Sequence, residues 1–224
     1  MVLTSAAQSA AQKEEGRMTL REALTGAGLL PVVTIEDPET AVPIAEALMA
    51  GGVPRIEVTL RTPAAFEALE RIAKAVPGLL LGAGTVLSEA DLARSAEAGA
   101  VFAVSPGLTP SLLEAAVQAP IPLLPGVATA SELMMGLEAG LDTFKFFPAE
   151  ASGGAPALKA LGAPFAKACF CPTGGIGLQN AATYLALDNV MCVGGSWVVP
   201  GDVVAEKGWD RIERLAREAA SLGG

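Results

Sequence analysis

Lys145 is the residue of this sequence best placed for covalent chemistry. It lies in the run 143–148, Thr-Phe-Lys-Phe-Phe-Pro, where a lysine interrupts an apolar pattern typical of a buried strand. Burying an ammonium group is costly, because removal from water disfavours its charged form. The other five lysines lie in polar or helical patterns that leave their side chains in water. A lysine kept inside a strand indicates an amine used for chemistry, and Schiff-base formation with a carbonyl substrate is the leading such use.

Glu57 is the second candidate and the only acidic residue inside a predicted strand. Successive strand residues face opposite sides, so the apolar residues of 56–60 face the helices, whereas Glu57, Thr59 and Arg61 face the interior. Alone, this pattern is equally compatible with a structural pair between Glu57 and Arg61. The similar placement of Lys145 favours a catalytic carboxylate. Since the chain contains no histidine, acid–base catalysis must fall to Glu, Asp, Lys, Tyr or Cys.

Three glycine-containing segments follow predicted strands and could bind a ligand through backbone N–H groups. Residues 82–85 close the third strand with two glycines and the Thr85 hydroxyl, although a tight turn explains them equally well. Residues 172–176 follow the seventh strand and residues 194–196 the eighth. Loops at these two places in a barrel often bind phosphate, so together they predict a phosphate site.

The elements that must position these residues alternate regularly between strands and helices. Helical patterns lie between the strands, with N-caps predicted at Thr62, Ser88, Thr109 and Thr129. The alternation predicts an α/β fold, a (β/α)₈ barrel, with a doubly wound open sheet as the alternative. The eight predicted strands are 30–35, 56–60, 79–83, 101–104, 121–124, 143–147, 168–171 and 190–193.

The chain reads as one domain preceded by a tail. Residues 1–17 are polar, lack the pattern of a secretory signal and are predicted to be a flexible extension. Residues 18–224 are predicted to form the barrel domain, with a short helix at 18–27 before the first strand and a closing helix at 209–222. No linker or low-complexity segment divides this domain.

Composition argues against several classes of partner. The net charge is −9, from 15 basic and 24 acidic residues, and no basic stripe occurs. We therefore expect neither nucleic acid nor a membrane as partner, and no apolar stretch reaches the roughly 18 residues of a membrane span. Cys169, Cys171 and Cys192 form neither a disulfide framework nor a zinc-binding pattern. This predicts a cytoplasmic protein without a metal site.

Six segments in this order and spacing closely resemble the 2-keto-3-deoxy-6-phosphogluconate (KDPG) aldolase family, which also cleaves 4-hydroxy-2-oxoglutarate (KHG). The resemblance runs from about residue 20 to the C-terminus. Gly177-Leu178 departs from the family, which often has Ser or Asn followed by Pro there. The segments are 57–62 (EVTLRT), 82–86 (GAGTV), 105–107 (SPG), 145–150 (KFFPAE), 171–176 (CPTGGI) and 194–197 (GGSW).

The resemblance implies a cytoplasmic, homotrimeric class I aldolase of the Entner–Doudoroff type, with a (β/α)₈ barrel and neither cofactor nor metal. It implies that Lys145 forms the Schiff base and Glu57 transfers protons. The substrate would be a phosphorylated keto sugar acid, cleaved to pyruvate and glyceraldehyde 3-phosphate. The implied substrate-binding residues are Arg61 and Thr85 for the carboxylate, Pro106 and Phe147 for the wall of the site, and Gly174, Gly175 and Ser196 for the phosphate.

The residues alone are also compatible with two other functions. One is a different barrel enzyme, such as a metal-dependent class II aldolase or a phosphosugar isomerase. The other is a non-catalytic phosphosugar-binding protein. The sequence also leaves open the preference among the gluconate substrate, its galactonate epimer and unphosphorylated KHG.

Overall fold

The computed structural model describes residues 18–223, and the predicted tail at 1–17 lies outside the described residues. None of the helices within residues 18–223 is long and apolar enough to cross a membrane. The strands are β1 (Gly28–Val33), β2 (Arg55–Thr59), β3 (Leu80–Gly84), β4 (Phe102–Val104), β5 (Leu123–Leu124), β6 (Gly126–Val127), β7 (Thr143–Phe146), β8 (Cys169–Pro172) and β9 (Cys192–Gly195). The α-helices are α1 (Leu20–Leu24), α2 (Ala41–Ala50), α3 (Ala65–Ala75), α4 (Glu89–Glu97), α5 (Pro110–Gln118), α6 (Ala130–Glu138), α7 (Gly154–Gly162), α8 (Ala181–Leu185), α9 (Gly201–Ala205) and α10 (Trp209–Ala220).

The strands pair in parallel throughout the described ladders. Six form one sheet in the order β5-β4-β3-β2-β1-β9, and β6-β7-β8 form a second. Two isolated parallel bridges, Phe170 with Val190 and Thr173 with Gly194, connect the β8 region to the β9 region. Pro125 separates β5 from β6, because proline has no N–H group to continue a ladder. The predicted α/β class with a parallel sheet is confirmed, while the hydrogen-bonded ladder is divided in two.

Most of the predicted helix starts are confirmed. The side chains of Ser88, Thr109 and Thr129 cap α4, α5 and α6, each accepting a hydrogen bond from a backbone N–H of the first turn. The prediction at Thr62 is wrong, because α3 begins without a side-chain cap. The Thr62 hydroxyl instead donates to the Ile35 carbonyl at 2.5 Å. A local pattern cannot reveal such a partner, which lies 27 residues away in the sequence.

The core lies on both sides of the strands. A larger cluster packs one face of the strands against the helices, and Ile56 and Val58 of β2 are fully buried in it. A second cluster joins Leu24 of α1 to Phe102 of β4 and Cys171 of β8. Since β4 and β8 belong to different sheets, the two sheets curve around a common apolar interior. Burial of each large apolar side chain contributes about 1.5–3 kcal/mol, so this interior holds the strands in place.

Candidate active site

Lys145 and Glu57, the two candidates for catalysis, meet in the interior of the fold. Lys145 lies on β7 and Glu57 on β2, 88 residues apart in the sequence. The Lys145 Nζ donates a hydrogen bond to Glu57 Oε1 at 3.1 Å, and the two side chains are only 6% and 1% exposed. Glu57 Oε2 is also buried and has no hydrogen-bond partner among the described residues. That oxygen is free to accept a proton or a hydrogen bond from a bound molecule.

Burial makes this ion pair an expensive element of the fold. The desolvation of two buried charges often exceeds their mutual attraction, so such a pair is weak evidence for stability. The ring of Phe147 lies 5.4 Å from the Lys145 Nζ and interacts favourably with an ammonium group. The pair is therefore better explained by function than by stability, because a buried amine beside a buried carboxylate is the arrangement that proton transfer requires.

Gly84 provides the space that the Glu57 carboxylate occupies. A Cβ atom at Gly84 would lie 2.3 Å from Glu57 Oε1 and 2.6 Å from Glu57 Cγ. Gly82 makes room in the same way for the ring of Phe102, whose Cζ would lie 2.2 Å from an added Cβ. The two glycines of the 82–85 segment therefore accommodate protein side chains, a purpose that the sequence pattern did not indicate.

Arg61 does not pair with Glu57 in the described structure, so the structural pair that the sequence left open is not formed there. Arg61 is exposed, and its Nε donates a hydrogen bond to Thr85 Oγ1 at 3.2 Å. Thr85 has a φ of 61°, a left-handed conformation that is uncommon for a β-branched residue. Backbone strain of this kind persists only where the surroundings impose it, and it clusters at functional sites.

A cavity of about 440 Å³ lies at the C-terminal ends of β1, β2, β7, β8 and β9. Lys145, Glu57 and Thr85 are not among its lining residues, although Lys145 lies two residues before Phe147, which lines the cavity. Pro106 does not line this cavity, since it follows β4 and its carbonyl oxygen packs against Gly126, 2.2 Å from where a Cβ would lie. The predicted site residues that line the cavity are Arg61, Phe147, Gly174, Gly175 and Ser196.

Two threonines that were not predicted from the sequence also line this cavity, Thr34 and Thr173. The Oγ1 atoms of Thr34 and Thr59 are 2.9 Å apart, and Thr173 Oγ1 donates to the Cys171 carbonyl at 3.3 Å. Both cavity threonines directly follow the last residue of a strand. This position after a strand could have identified them in the sequence, because parallel strands bring such residues together at one end of the fold.

The loops after β8 and β9 carry unpaired backbone donors. The N–H groups of Gly175, Ile176 and Ser196 have no hydrogen-bond acceptor within residues 18–223. Gly174 and Gly175 have φ angles of 103° and 77°, which glycine adopts without steric cost. Consecutive N–H groups in such a conformation form a concave site that binds anions.

Tyr184 and Glu150 support the loop after β8. The Tyr184 hydroxyl donates a hydrogen bond to Glu150 Oε1. Burial, followed by this bond and the charge of Glu150, raises the pKa of Tyr184 well above its ordinary value, so the phenol stays protonated. Glu150 in turn packs against Gly175, where an added Cβ would lie 2.7 Å from Glu150 Cγ.

The cysteines do not form part of this site. All three are free thiols, and the Sγ atoms of Cys171 and Cys192 are 3.5 Å apart. Their hydrogen bond, followed by burial, raises the pKa of Cys192, which keeps the thiol protonated and unreactive. Within residues 18–223, no three or more His, Cys, Asp or Glu side chains are grouped so as to hold a metal ion.

The sequence is similar to that of one enzyme family. The profile of the family described as "KDPG and KHG aldolase" matches residues 20–215. A "KHG/KDPG aldolase" of Escherichia coli (strain K12) is 55% identical over 196 residues, which cover 88% of this chain and 92% of that protein. A "2-dehydro-3-deoxy-phosphogluconate aldolase" of Dickeya dadantii is 53% identical over 205 residues, 92% of this chain and 96% of that protein.

The fold is similar to that of solved structures of the same description. The KDPG aldolase from Legionella pneumophila, with pyruvate captured at low pH as a covalent carbinolamine intermediate, matches with a TM-score of 0.87 and 48% identity. That match covers 89% of this chain and 97% of the Legionella chain. The aldolase of Zymomonas mobilis ZM4 with 3-phosphoglycerate matches with a TM-score of 0.85 and 49% identity, covering 92% of this chain and 97% of the other.

Proposed function

Because this chain belongs to the KDPG and KHG aldolase family, we propose that Lys145 and Glu57 are the catalytic pair with which it cleaves its substrate. The reaction is the cleavage of KDPG to pyruvate and glyceraldehyde 3-phosphate, a carbon–carbon lyase reaction of sugar-acid catabolism. The observation that carries the assignment of residues is the buried contact of 3.1 Å between the Lys145 amine and the Glu57 carboxylate.

The first half of the reaction makes the substrate cleavable. Glu57 accepts a proton from the Lys145 ammonium group across their hydrogen bond, leaving a neutral amine. This amine attacks the C2 ketone to form a carbinolamine. Glu57 returns its proton to the carbinolamine hydroxyl, which leaves as water and gives an iminium ion bound to Lys145. The positive iminium nitrogen can then receive the electron pair of a breaking bond.

The second half breaks the bond and regenerates the enzyme. Glu57 accepts the proton of the C4 hydroxyl as the C3–C4 bond breaks, its electron pair moving to the iminium to form an enamine. Glyceraldehyde 3-phosphate leaves, Glu57 passes the proton to C3 of the enamine, and water hydrolyses the new iminium to release pyruvate and the Lys145 ammonium group. One carboxylate thus serves several proton transfers, which fits a buried Glu57 with one oxygen on the amine and the other without a partner among the described residues.

The substrate carboxylate is assigned to Arg61 and Thr85. Arg61 is exposed on the cavity wall, and its hydrogen bond to Thr85 fixes the direction of the guanidinium group. A guanidinium presents paired donors that suit a carboxylate. Phe147 forms the apolar wall beside Lys145, whereas a substrate contact for Pro106 stays a prediction.

The substrate phosphate is assigned to Gly174, Gly175 and Ser196. These residues line the same cavity as Arg61, and the unpaired N–H groups of Gly175 and Ser196 suit a dianion. One cavity of about 440 Å³ thus brings Arg61 and the residues assigned to the phosphate together. We also propose activity on KHG, whose smaller skeleton keeps the C2 ketone and C4 hydroxyl and lacks the phosphate.

Borohydride trapping tests the covalent step directly. The protein is incubated with pyruvate, reduced with sodium borohydride, digested and mapped by mass spectrometry. We expect one adduct, on the peptide that contains Lys145, and the same adduct in a Lys159→Arg control. An adduct elsewhere, or none, contradicts the assignment. Full activity in EDTA is expected of a class I enzyme, and its loss would favour the metal-dependent alternative.

We further propose that the two sheets form one closed (β/α)₈ barrel. β5 and β6 would count as one strand interrupted at Pro125, which makes eight strands in all. The bridges between the β8 and β9 regions and the shared apolar interior support this closure. An experimental structure with continuous contacts from β8 to β9 would test it, and a gap wide enough for water between them would contradict it.

The proposed assembly is a homotrimer in the cytoplasm. The trimer rests on the family resemblance, and native mass spectrometry tests it by a mass near three times 22.6 kDa. The location rests on the cysteine pattern of the sequence, which has three cysteines and no disulfide framework, as expected in a reducing compartment.

A further inference from the structure

The anion-binding loop after β8 has its peptide groups fixed in one direction. The Thr173 carbonyl accepts the Ala149 N–H at 2.8 Å, and the Gly174 carbonyl accepts the Glu150 N–H at 3.1 Å. In a trans peptide the C=O and N–H groups point in opposite directions. Anchoring the Gly174 carbonyl on Glu150 therefore turns the Gly175 N–H away from Glu150 and leaves it unpaired among the described residues.

The next peptide of this loop is anchored by a side chain. The Asn180 Nδ2 donates to the Gly175 carbonyl at 3.1 Å, and Asn180 Oδ1 accepts the Gly177 N–H at 2.8 Å. The two bonds use both ends of the amide and fix its orientation. By the same trans-peptide geometry the Ile176 N–H points away from Asn180, and Ile176 lines the cavity.

This anchor matters because the Gly175 peptide would otherwise rotate easily. Gly175 is exposed and its φ is 77°, in a region where glycine changes conformation at little cost. Rotation of the Gly175–Ile176 peptide would exchange an N–H donor for a carbonyl oxygen. A carbonyl oxygen directed at a dianion would repel it.

We propose that Asn180 is a positioning residue for phosphate recognition, which orients the Gly175–Ile176 peptide so that the Ile176 N–H joins the Gly175 N–H in binding the phosphate. This inference rests on the proposed phosphate site and adds to it both a donor and the side chain that aims it. Asn180 touches neither the reacting carbons nor Lys145, so its effect should fall on phosphate binding alone.

Kinetics with two matched substrates test the proposal. KDPG and unphosphorylated 2-keto-3-deoxygluconate differ only in the phosphate, and inorganic phosphate is tested as a competitive inhibitor of KDPG cleavage. Asn180→Ala removes both hydrogen bonds, whereas Asn180→Asp keeps the acceptor for Gly177 and loses only the donor to Gly175. We expect both variants to raise the KM for KDPG about tenfold, the usual effect of one hydrogen bond to a charged group. The kcat for KDPG and the kcat/KM for 2-keto-3-deoxygluconate should stay within about twofold.

Gln179 offers matched controls for both substitutions. It is the neighbouring exposed amide, and the hydrogen bonds to the Gly175 carbonyl and from the Gly177 N–H are made by Asn180. Gln179→Glu adds the same charge close by, and Gln179→Ala removes an amide of the same kind. Both controls should keep the wild-type KM for KDPG within about twofold, and inorganic phosphate should inhibit them as it does the wild type.

The outcomes separate this inference from the function on which it rests. An equal loss of kcat/KM for both substrates would show a merely structural role for Asn180. An unchanged KM for KDPG would show no role, so either result overturns the proposal. If the wild type itself does not discriminate between the two substrates, the phosphate site is wrong and this inference falls with it. A missing borohydride adduct on Lys145 would instead overturn the covalent step alone.

Discussion

The two halves of the candidate active site are built from different parts of the chain. The half proposed to react with the substrate consists of the Lys145 and Glu57 side chains on the strands β7 and β2, almost completely removed from water. The half proposed to bind phosphate consists of backbone N–H groups in the loops after β8 and β9, where Gly175 and Ser196 are exposed. One half depends on the identity of two side chains, and the other on the direction of peptide groups.

This difference follows from what each half must do. Proton and imine chemistry needs an amine and a carboxylate at a fixed distance, and strands hold side chains more rigidly than loops do. A phosphate needs several donors around it and tolerates water, which a loop with unpaired N–H groups provides. Substitutions in the first half should therefore reduce kcat, whereas substitutions in the second should raise the KM for the phosphorylated substrate.

Replacing Lys145 should have the largest effect. Lys145→Arg keeps a cation beside Glu57 but cannot form an imine, so we expect kcat to fall by on the order of 10⁴-fold or more. Steady-state kinetics and borohydride trapping both measure the loss. If the larger arginine prevents folding, Lys145→Met is the second variant. Methionine fits the same space without a charge, and this variant should be equally inactive. Activity above a hundredth of the wild type in either folded variant would refute the imine at this residue.

Glu57→Gln should have the next largest effect. The amide keeps the size of the side chain and an acceptor for Lys145, yet it cannot take up a proton, so kcat should fall by about 10²–10⁴-fold. Imine formation with pyruvate, followed as the rate of borohydride-trapped adduct, should slow as well. The control is Glu67→Gln, which removes an exposed carboxylate paired with Arg71 and should leave kcat unchanged. A normal kcat in Glu57→Gln would remove this residue from the mechanism.

Gly175→Ala should damage the other half of the site. The new Cβ would lie 2.7 Å from Glu150 Cγ, and alanine at a φ of 77° is strained by about 1–2 kcal/mol. The loop must shift, so we expect the KM for KDPG to rise about tenfold while the kcat/KM for 2-keto-3-deoxygluconate changes less than twofold. Gly107→Ala is the control, because its Cβ would contact nothing within 4 Å. An equal loss of kcat/KM for both substrates would mean that the two halves of the site are not independent.

Glu132→Gln should have the smallest effect, on stability rather than catalysis. Partial burial opposes ionisation of Glu132, but hydrogen bonds from the Ala128 N–H and from the Thr129 hydroxyl and N–H prevail and lower its pKa. A lowered pKa stabilises the folded state above the ordinary carboxyl pKa, and this stabilisation is lost as the pH falls through the lowered value. Solvent screening limits it, so we expect a loss of about 0.5 kcal/mol in urea unfolding at neutral pH. The difference in stability between Glu132→Gln and the wild type should vanish in acid. If it persists there, it comes from packing and not from the charge.

Much of the fold could be predicted from local patterns, and the exceptions have physical causes. The cap residues Ser88, Thr109 and Thr129 bond to N–H groups within three residues, so the sequence contains both partners of each bond. Thr62 was mispredicted because its hydroxyl bonds to the Ile35 carbonyl, in the loop after β1. The predicted strand at 121–124 continues as β6 beyond Pro125, and the division follows from the missing N–H of that proline.

The candidate site was predictable to the extent that residue type reveals chemistry. Lysine and glutamate within apolar strands are unusual enough to be recognised without a structure. Of the other predicted residues, Arg61, Phe147 and the glycines after β8 line the cavity. Thr34, Thr173 and Asn180 were not predicted, because threonine and asparagine at loop positions are common in any protein. Their significance depends on which carbonyl, hydroxyl or cavity they face.

The sequence by itself determined the alternation of strands and helices, the class of the fold and the residues able to form an imine and move protons. These depend on periodicity and on the chemistry of single side chains, which the order of residues contains. Only the tertiary structure decided that Glu57 pairs with Lys145 and not with Arg61, that Gly84 leaves room for the carboxylate, and which way the Gly175 peptide points. Each of these depends on distances between segments far apart in the chain, which packing alone sets.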